Sequence, residues 1–379
     1  MEIYVVKSGD TVYSIASSYQ VDEDTLIYDN QLIYPYQLVV GQALLISSGQ
    51  RNKSMTIRSN GYAYPFISEW VLDNTLPYLS ELSVFSYGFT ENGDLVPPLL
   101  DDEWMIGKAL TNGVMPILTL TPFGLSGNFD NNLISAVVRN HVSRDNLINN
   151  LLVVMGDKSY GGLDIDFEFI KAEDRDLFTE FVRVCTERMH NAGYQVSVAL
   201  APKSSAEQRG LLYEGKDYRA LGEIADHVLV MTYEWGYTYG PPMAVAPIDK
   251  VREVIEYAVT EIPSEKISMG IPNYGYDWPL PYERGVTRAK TIGNVEAVQL
   301  ASIYGVEIKF DEVAGSPYFN YVSNGITHEV WFEDVRSLQQ KFDLIKEFEL
   351  RGAGYWQIMQ LFRANWLLLS DNFYIEINY

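Results

Sequence analysis

The sequence predicts an α/β protein: a closed (β/α)8 TIM barrel with a small α+β insertion, preceded by a compact βααβ unit. Three observations lead there. Eight short, β-rich apolar runs recur between residues 56 and 358, amphipathic helical patterns separate most of them, and the first 47 residues carry their own periodicity ahead of a polar break. A chain of 379 residues also exceeds one ordinary core, so two units are expected.

The N-terminal unit reads as a strand over 3–7, a turn holding Gly9 and Asp10, a helix over 12–19, a second helix near 24–29, and a closing strand over 43–46 after Pro35. Residues 47–54 (SSGQRNKS) lack apolar periodicity and read as a linker, which divides the chain into residues 1–48 and 55–379.

Beyond it the candidate strands are 56–62, 82–87, 114–120, 162–168, 195–201, 227–233, 266–271 and 352–358. Helical spacing over 175–192 and 248–261 typifies the intervening segments. Strand–helix alternation on this scale argues for a parallel sheet, and eight repeats favour closure into a barrel. The gap before the last strand is long. About residues 279–332 form an insertion, with a helix near 294–304 and strands near 306–310, 318–322 and 327–331, before a helix over 333–350 returns to the barrel. Because it follows a strand, the insertion is expected beside the catalytic face as one wall of a cleft.

Composition narrows the function. With 28 basic against 50 acidic residues and a net charge of −22, the chain is a poor partner for nucleic acid. No apolar window is long enough for a membrane span, and the opening MEIYVVKSGD lacks the basic and apolar regions of a signal peptide. One cysteine, Cys185, precludes an internal disulfide and reads as a buried apolar residue. The four histidines are too scattered for a metal site, and no phosphate loop is present, so neither metal nor cofactor is expected. Aromatic residues make up 13% of the chain, including 27 Tyr and 7 Trp, which suits either a large core or a sugar-binding cleft.

The most informative segment is Gly162-Leu163-Asp164-Ile165-Asp166-Phe167-Glu168. Alternation along a strand projects Asp164, Asp166 and Glu168 to one side, with successive Cα atoms ~6.6 Å apart. Three carboxylates on a core strand are costly where Val, Ile or Leu is usual, so a function or a hydrogen-bond network must hold them. Ionisation of one opposes ionisation of its neighbour, which keeps one carboxyl protonated as an acid. Glu168, last on the strand and longest in reach, is the candidate proton donor.

This segment resembles the Asp-Gly-x-Asp-x-Asp-x-Glu signature of glycoside hydrolase family 18, with Met231-Thr232-Tyr233 and Gly354-Tyr355-Trp356 as supporting matches. The resemblance implies a retaining, substrate-assisted mechanism, in which the sugar's 2-acetamido oxygen attacks its own anomeric carbon and no enzyme nucleophile is needed. It implies that Glu168 donates and later removes the proton, Asp166 orients the acetamide, Asp164 supports Asp166, and Tyr233 bonds the acetamide oxygen. Trp356 would floor the sugar site, and Glu234, Tyr274 and Tyr87 are expected as further substrate contacts. Two departures stand out. Gly161 replaces the first motif Asp, and Glu234 stands where an Asp is usual; activity is expected to survive with a shifted pH profile.

The N-terminal run YVVKSGDTVYSIASSYQV, with Asn30 and LVVGQALLI, resembles a LysM domain. That implies binding of N-acetylglucosamine chains between one loop with Gly9, Asp10 and Thr11 and another with Tyr36, Gln37 and Leu38; Gly-Asp-Thr alone also suits a helix cap. The pairing of the two units and the run 328–334 (HEVWFED) resemble spore cortex-lytic N-acetylglucosaminidases. Peptidoglycan is then the expected substrate, in the spore envelope or cell wall without a classical signal peptide, or otherwise in the cytoplasm. Relatives of that type often carry two LysM units, so one unit implies weaker attachment. A chitinase and a non-catalytic wall-binding lectin are the alternatives, and Glu168 argues against the lectin.

Overall fold

The computed structural model describes residues 1–47, 49, 53–125 and 127–377. Of the expected linker at 47–54, residues 48 and 50–52 lie outside them.

In the N-terminal unit, strands Glu2–Val5 and Ala43–Ile46 pair antiparallel around helices Val12–Tyr19 and Glu23–Asp29. Local chemistry sets the boundaries. Thr11 and Ser14 form a reciprocal capping box, and Asp22 caps the second helix. The first strand ends earlier than expected because the Lys7 N–H turns to the Asp10 carboxylate, 2.7 Å away. Val6, Val12, Ile15, Leu26, Leu44 and Ile46 form the unit's own core.

This unit is docked on the barrel. Leu45 joins the barrel core, and Val39 joins the core of the insertion. The Ile308 N–H donates to the Val40 carbonyl at 3.0 Å, Arg336 donates to the Gly41 carbonyl at 3.1 Å, and the Arg363 N–H donates to the Gln31 side chain at 2.7 Å. Gly41 makes the approach possible: its φ is +84°, and an added Cβ would lie 1.8 Å from the Ile308 carbonyl oxygen.

Eight parallel strands then close a barrel: Met55–Ala63, Glu81–Phe89, Met115–Leu120, Gly162–Ile165, Gln195–Leu200, His227–Val230, Ile267–Pro272 and Gly352–Trp356, with the eighth bonded to the first. Each expected strand is present. Helices Arg175–Asn191 and Ile248–Glu261 bury Phe178, Phe181, Val182 and Cys185, and Val251, Val254 and Ile255, respectively. The insertion after strand seven is an antiparallel five-stranded sheet in the order Lys290–Ile292, Gly275–Pro279, Ile326–Trp331, Ser316–Ser323, Lys309–Asp311, with helix Asn294–Tyr304 against it. Its first two strands escaped the sequence reading. Gly275–Pro279 follows strand seven after only Asn273 and Tyr274, so its aromatic alternation reads as an extension of the loop.

At the barrel floor the buried Glu81 accepts from Arg351 at 2.8 Å, Arg58 at 3.2 Å and Gln195 at 3.2 Å. Burial opposes its ionisation, but Arg351, His227 and Arg58 outweigh that and hold Glu81 at about 2. His227 lies 3.6 Å from Glu81, yet burial, aided by Arg351 and Arg58, depresses it to about 4, so at neutral pH it is uncharged and the contact is not an ion pair.

Two outcomes are expected. Gly41→Ala should release the N-terminal unit, with loss of hydrogen-exchange protection at the Ile308 amide while barrel amides stay protected; unchanged protection there would contradict the docking. Acid should destabilise the fold in two stages. His227 binds its proton more readily when unfolded, so stability falls as pH drops from about 6.5 toward about 4. Glu81 contributes above its ordinary 4.5, and that contribution is lost toward about 2. Urea titrations of Glu81→Gln should show a loss of about 3–5 kcal/mol at neutral pH and a smaller lower stage than the wild type.

Candidate active site

Parallel neighbours on both sides fix the register of strand four, with Asp164 opposite Thr119 and Ser197. The ladder, expected to reach residue 168, stops at Ile165. The Asp166 N–H still reaches the Leu120 carbonyl at 2.9 Å, but strand three ends there, and Phe169 at φ +57° turns the chain aside. The alternation survives the end of the ladder. Leu163, Ile165 and Phe167 pack in the hydrophobic core, while Asp164 (1% exposed) and Asp166 (6%) are buried and Glu168 is half-buried beside the cleft.

Both Asp164 oxygens are occupied, by the Ser197 hydroxyl at 2.7 Å and the Tyr62 hydroxyl at 2.8 Å. Burial nevertheless raises its pKa, with those two donors pulling downward. Asp166 rises well above the carboxylate range through burial and then the charges of Glu168 and Asp164. Its Oδ1 is buried without a hydrogen-bond partner among the described residues, an acceptor left for an incoming donor. Glu168 is also raised, by burial first and by Glu234, against the opposing charge of Lys216. That is the direction a proton donor requires.

Strand six ends at Val230, and the Thr232 hydroxyl ties the following turn to the Gly270 carbonyl at 2.7 Å. The Tyr233 ring lies directly over Gly270, where a Cβ would come within 2.7 Å of it, and faces the cleft. Glu234 follows in the left-handed region at φ +68°, a strained position for a non-glycine residue. Two tyrosines hold it there: the Tyr276 hydroxyl donates to its Oε1 at 2.8 Å, and Tyr274 donates to the same oxygen. Burial raises the Glu234 pKa, and those bonds oppose the rise.

The cleft measures about 640 Å³ and brings together Asp166, Glu168, Tyr233, Glu234 and Trp356. Trp356, at the end of strand eight, packs edge-on against Phe85 with centroids 4.8 Å apart, and Tyr62 and Tyr64 lie at 5.8 and 6.1 Å. A neighbouring apolar recess of about 380 Å³, with Pro97, Pro98 and Leu99, shares Tyr64, Phe85 and Phe123 with the cleft. Aromatic walls around a raised-pKa acid suit an uncharged ring carrying a polar substituent and a leaving oxygen.

Two expected substrate contacts lie elsewhere. Tyr274 is buried behind Glu234, which it anchors. Tyr87 is 1% exposed and donates to Asp102 at 2.7 Å, outside the cleft. The reason is a register shift between Val84 and Tyr87 in the pairing of strands two and three, which breaks the alternation and leaves Phe85 at the site. Sequence reasoning missed Tyr62, Ser197, Phe85 and Lys216. Ser197, a polar residue inside the apolar run QVSVAL, was a readable signal; the others carried none.

In the N-terminal unit, Gly9 adopts φ +90°, and Asp10 accepts from the Tyr4 hydroxyl at 2.8 Å as well as from Lys7. Thr11 caps its helix, so the first loop is pre-formed by its own bonds. Tyr36 and Gln37 are exposed and Leu38 is half-buried. Tyr62→Phe should remove one of the two donors to Asp164 and cost ~1.5–3 kcal/mol in urea unfolding near neutral pH. A variant as stable as the wild type would show that the Asp164 charge does not depend on that bond.

The sequence pattern of the glycosyl hydrolases family 18 matches residues 123–360, and that of the LysM domain matches residues 4–47. The chain is 38% identical to the cortical fragment-lytic enzyme of Bacillus subtilis (strain 168), over 98% of both chains. It superposes on the crystal structure of the Bacillus megaterium QM B1551 spore cortex-lytic enzyme SleL with a TM-score of 0.93 and 36% identity, covering 100% of this chain and 99% of that one. A chitinase from Chromobacterium violaceum ATCC 12472 superposes with a TM-score of 0.78 and 25% identity, covering 83% of this chain and 98% of that one.

Proposed function

The chain belongs to glycosyl hydrolase family 18, and from that membership we propose that it is a retaining glycosidase of the spore cortex, cleaving peptidoglycan beside N-acetylglucosamine. The observation that carries the reading is Glu168, with its raised pKa, at the cleft beside a buried Asp166 oxygen that has no hydrogen-bond partner among the described residues.

The chemistry needs one proton and one internal nucleophile. Glu168 gives its proton to the glycosidic oxygen as the C1–O bond breaks, and the substrate's own acetamide oxygen forms the new bond to C1. The resulting oxazolinium is positive, and an anion beneath it stabilises it. Asp166 Oδ1 is the acceptor for the acetamide N–H, and Tyr233 holds the acetamide oxygen in line, which raises its effective concentration at C1. Glu168, now ionised, takes a proton from water as that water opens the ring on the same face, giving net retention. Trp356 supplies an apolar floor, and Glu234, fixed by Tyr274 and Tyr276, lines the neighbouring wall.

Labour is divided between the two units. Residues 1–48 hold the polymer through the loops at Gly9, Asp10 and Thr11 and at Tyr36, Gln37 and Leu38, and residues 55–379 cut it. LysM and family-18 units both imply N-acetylglucosamine glycans as ligands. Among the described residues no helix is long and apolar enough to cross a membrane, and the spore envelope is the proposed place of action, after the printed role of the relatives.

Glu168→Gln should lower turnover of purified cortex fragments by ~10²–10⁴-fold while leaving sedimentation with insoluble cortex unchanged. Equal turnover in both proteins would remove Glu168 from the mechanism. Mass spectrometry of the new ends should find N-acetylglucosamine at the reducing terminus; muramic ends would overturn the bond assignment, and faster turnover of chitin oligomers than of cortex would make the enzyme a chitinase.

A further inference from the structure

Lys216 is an anomaly in the barrel. It is 1% exposed, yet its ammonium has a single hydrogen-bond partner among the described residues, the Ala199 carbonyl at 2.6 Å. A buried ammonium with so few partners is costly unless negative charge lies close by.

Strand register says where that charge is. Asp164 lies opposite Ser197 and Ile165 opposite Val198, so the next step along the parallel pair sets Asp166 abreast of Ala199. An ammonium held on the Ala199 carbonyl is therefore level with Asp166, whose Oδ1 is unpartnered. The loop that carries Lys216 is wedged against the chain just past Glu168, because a Cβ on Gly215 would meet the Ile170 Cβ at 2.4 Å. Its backbone is pinned as well, the Lys216 carbonyl accepting from Lys203 at 3.3 Å.

We propose that Lys216 is a positioning residue for the reaction, the counter-charge that stands beside Asp166 and balances the buried row of Asp164, Asp166 and Glu168. The assignment fits the hydrogen bonds. Asp164, with a donor on each oxygen, is built to be the anion, whereas Asp166 Oδ1 has none. One anion against one cation leaves the buried row close to neutral, which is what a dry interior tolerates. Burial lowers the Lys216 pKa, and Asp166, Glu168 and Asp164 oppose that by favouring the charged lysine; Tyr62, Tyr233 and Glu234 add no positive charge, and Glu81 acts on Asp164 from the floor.

The sign of the consequence follows. A cation near carboxyl groups favours their ionised forms, so removing it makes each of them hold its proton to higher pH. Both limbs of the kcat/KM profile should then move alkaline, by about one pH unit or more, in Lys216→Met and in Lys216→Gln, which keeps a donor for Ala199. Lys216→Arg should stay near the wild-type profile. The same shift should appear without substrate, in ¹³C NMR titrations of carboxyl-labelled protein. The kinetic half rests on the glycosidase reading; the NMR half does not. Wild-type protein inert on every glycan would end that reading and leave the titration to decide on Lys216. Folded neutral variants with unmoved profiles and unmoved carboxyl titrations would overturn the proposal.

Discussion

An ionised carboxylate taken from water into a closed barrel costs several kcal/mol unless opposite charge or donors meet it, and the row Asp164, Asp166, Glu168 places three such groups on one inward face. The same molecule solves this problem in two ways. At the floor, Glu81 is met by Arg351 and Arg58 and stays ionised down to about 2. Along the acid row, donors are rationed: among the described residues two go to Asp164 and none to Asp166 Oδ1, and burial drives Asp166 toward its protonated form. The first arrangement holds structure; the second stores a proton where chemistry can use it.

Such a row works only if its surroundings are rigid and dry. Strands three and five fix the height of Asp164, the Leu120 carbonyl on strand three fixes that of Asp166, and Phe167 stacks on Phe181 behind them. The mouth is lined by rings that pack on one another, with Trp356 against Phe85 and Tyr64. The strained Glu234 belongs to the same economy: its backbone angle persists because Tyr274 and Tyr276 hold the carboxylate. The N-terminal unit adds reach rather than chemistry. Docked through Gly41 and Ile308, it offers a polymer-binding surface at a set offset from the cleft instead of on a free tether.

Much of this was legible in the chain. The eight strands, the long insertion and the βααβ unit were all visible because apolar periodicity reports which faces an element buries. The acid row was equally visible, since three acids at two-residue spacing contradict what a core strand ordinarily carries. Where reading failed, a distant contact had intervened. Tyr87 lay on an expected strand and should have alternated inward, but the register shift past Val84 turned it toward Asp102. Tyr274 looked like a cleft aromatic and instead anchors Glu234 from behind.

By itself, then, the order of residues determined the period of each element, the number of strands and the spacing of the acids, because those are properties of neighbours along the chain. The closed barrel alone decided which carboxyl is satisfied and which is left bare, that a lysine fifty residues from Asp166 lies level with it, and that the N-terminal unit is fixed in place. Those depend on groups far apart in sequence meeting in a space from which water is excluded, and local pattern carries no information about which pairs will meet.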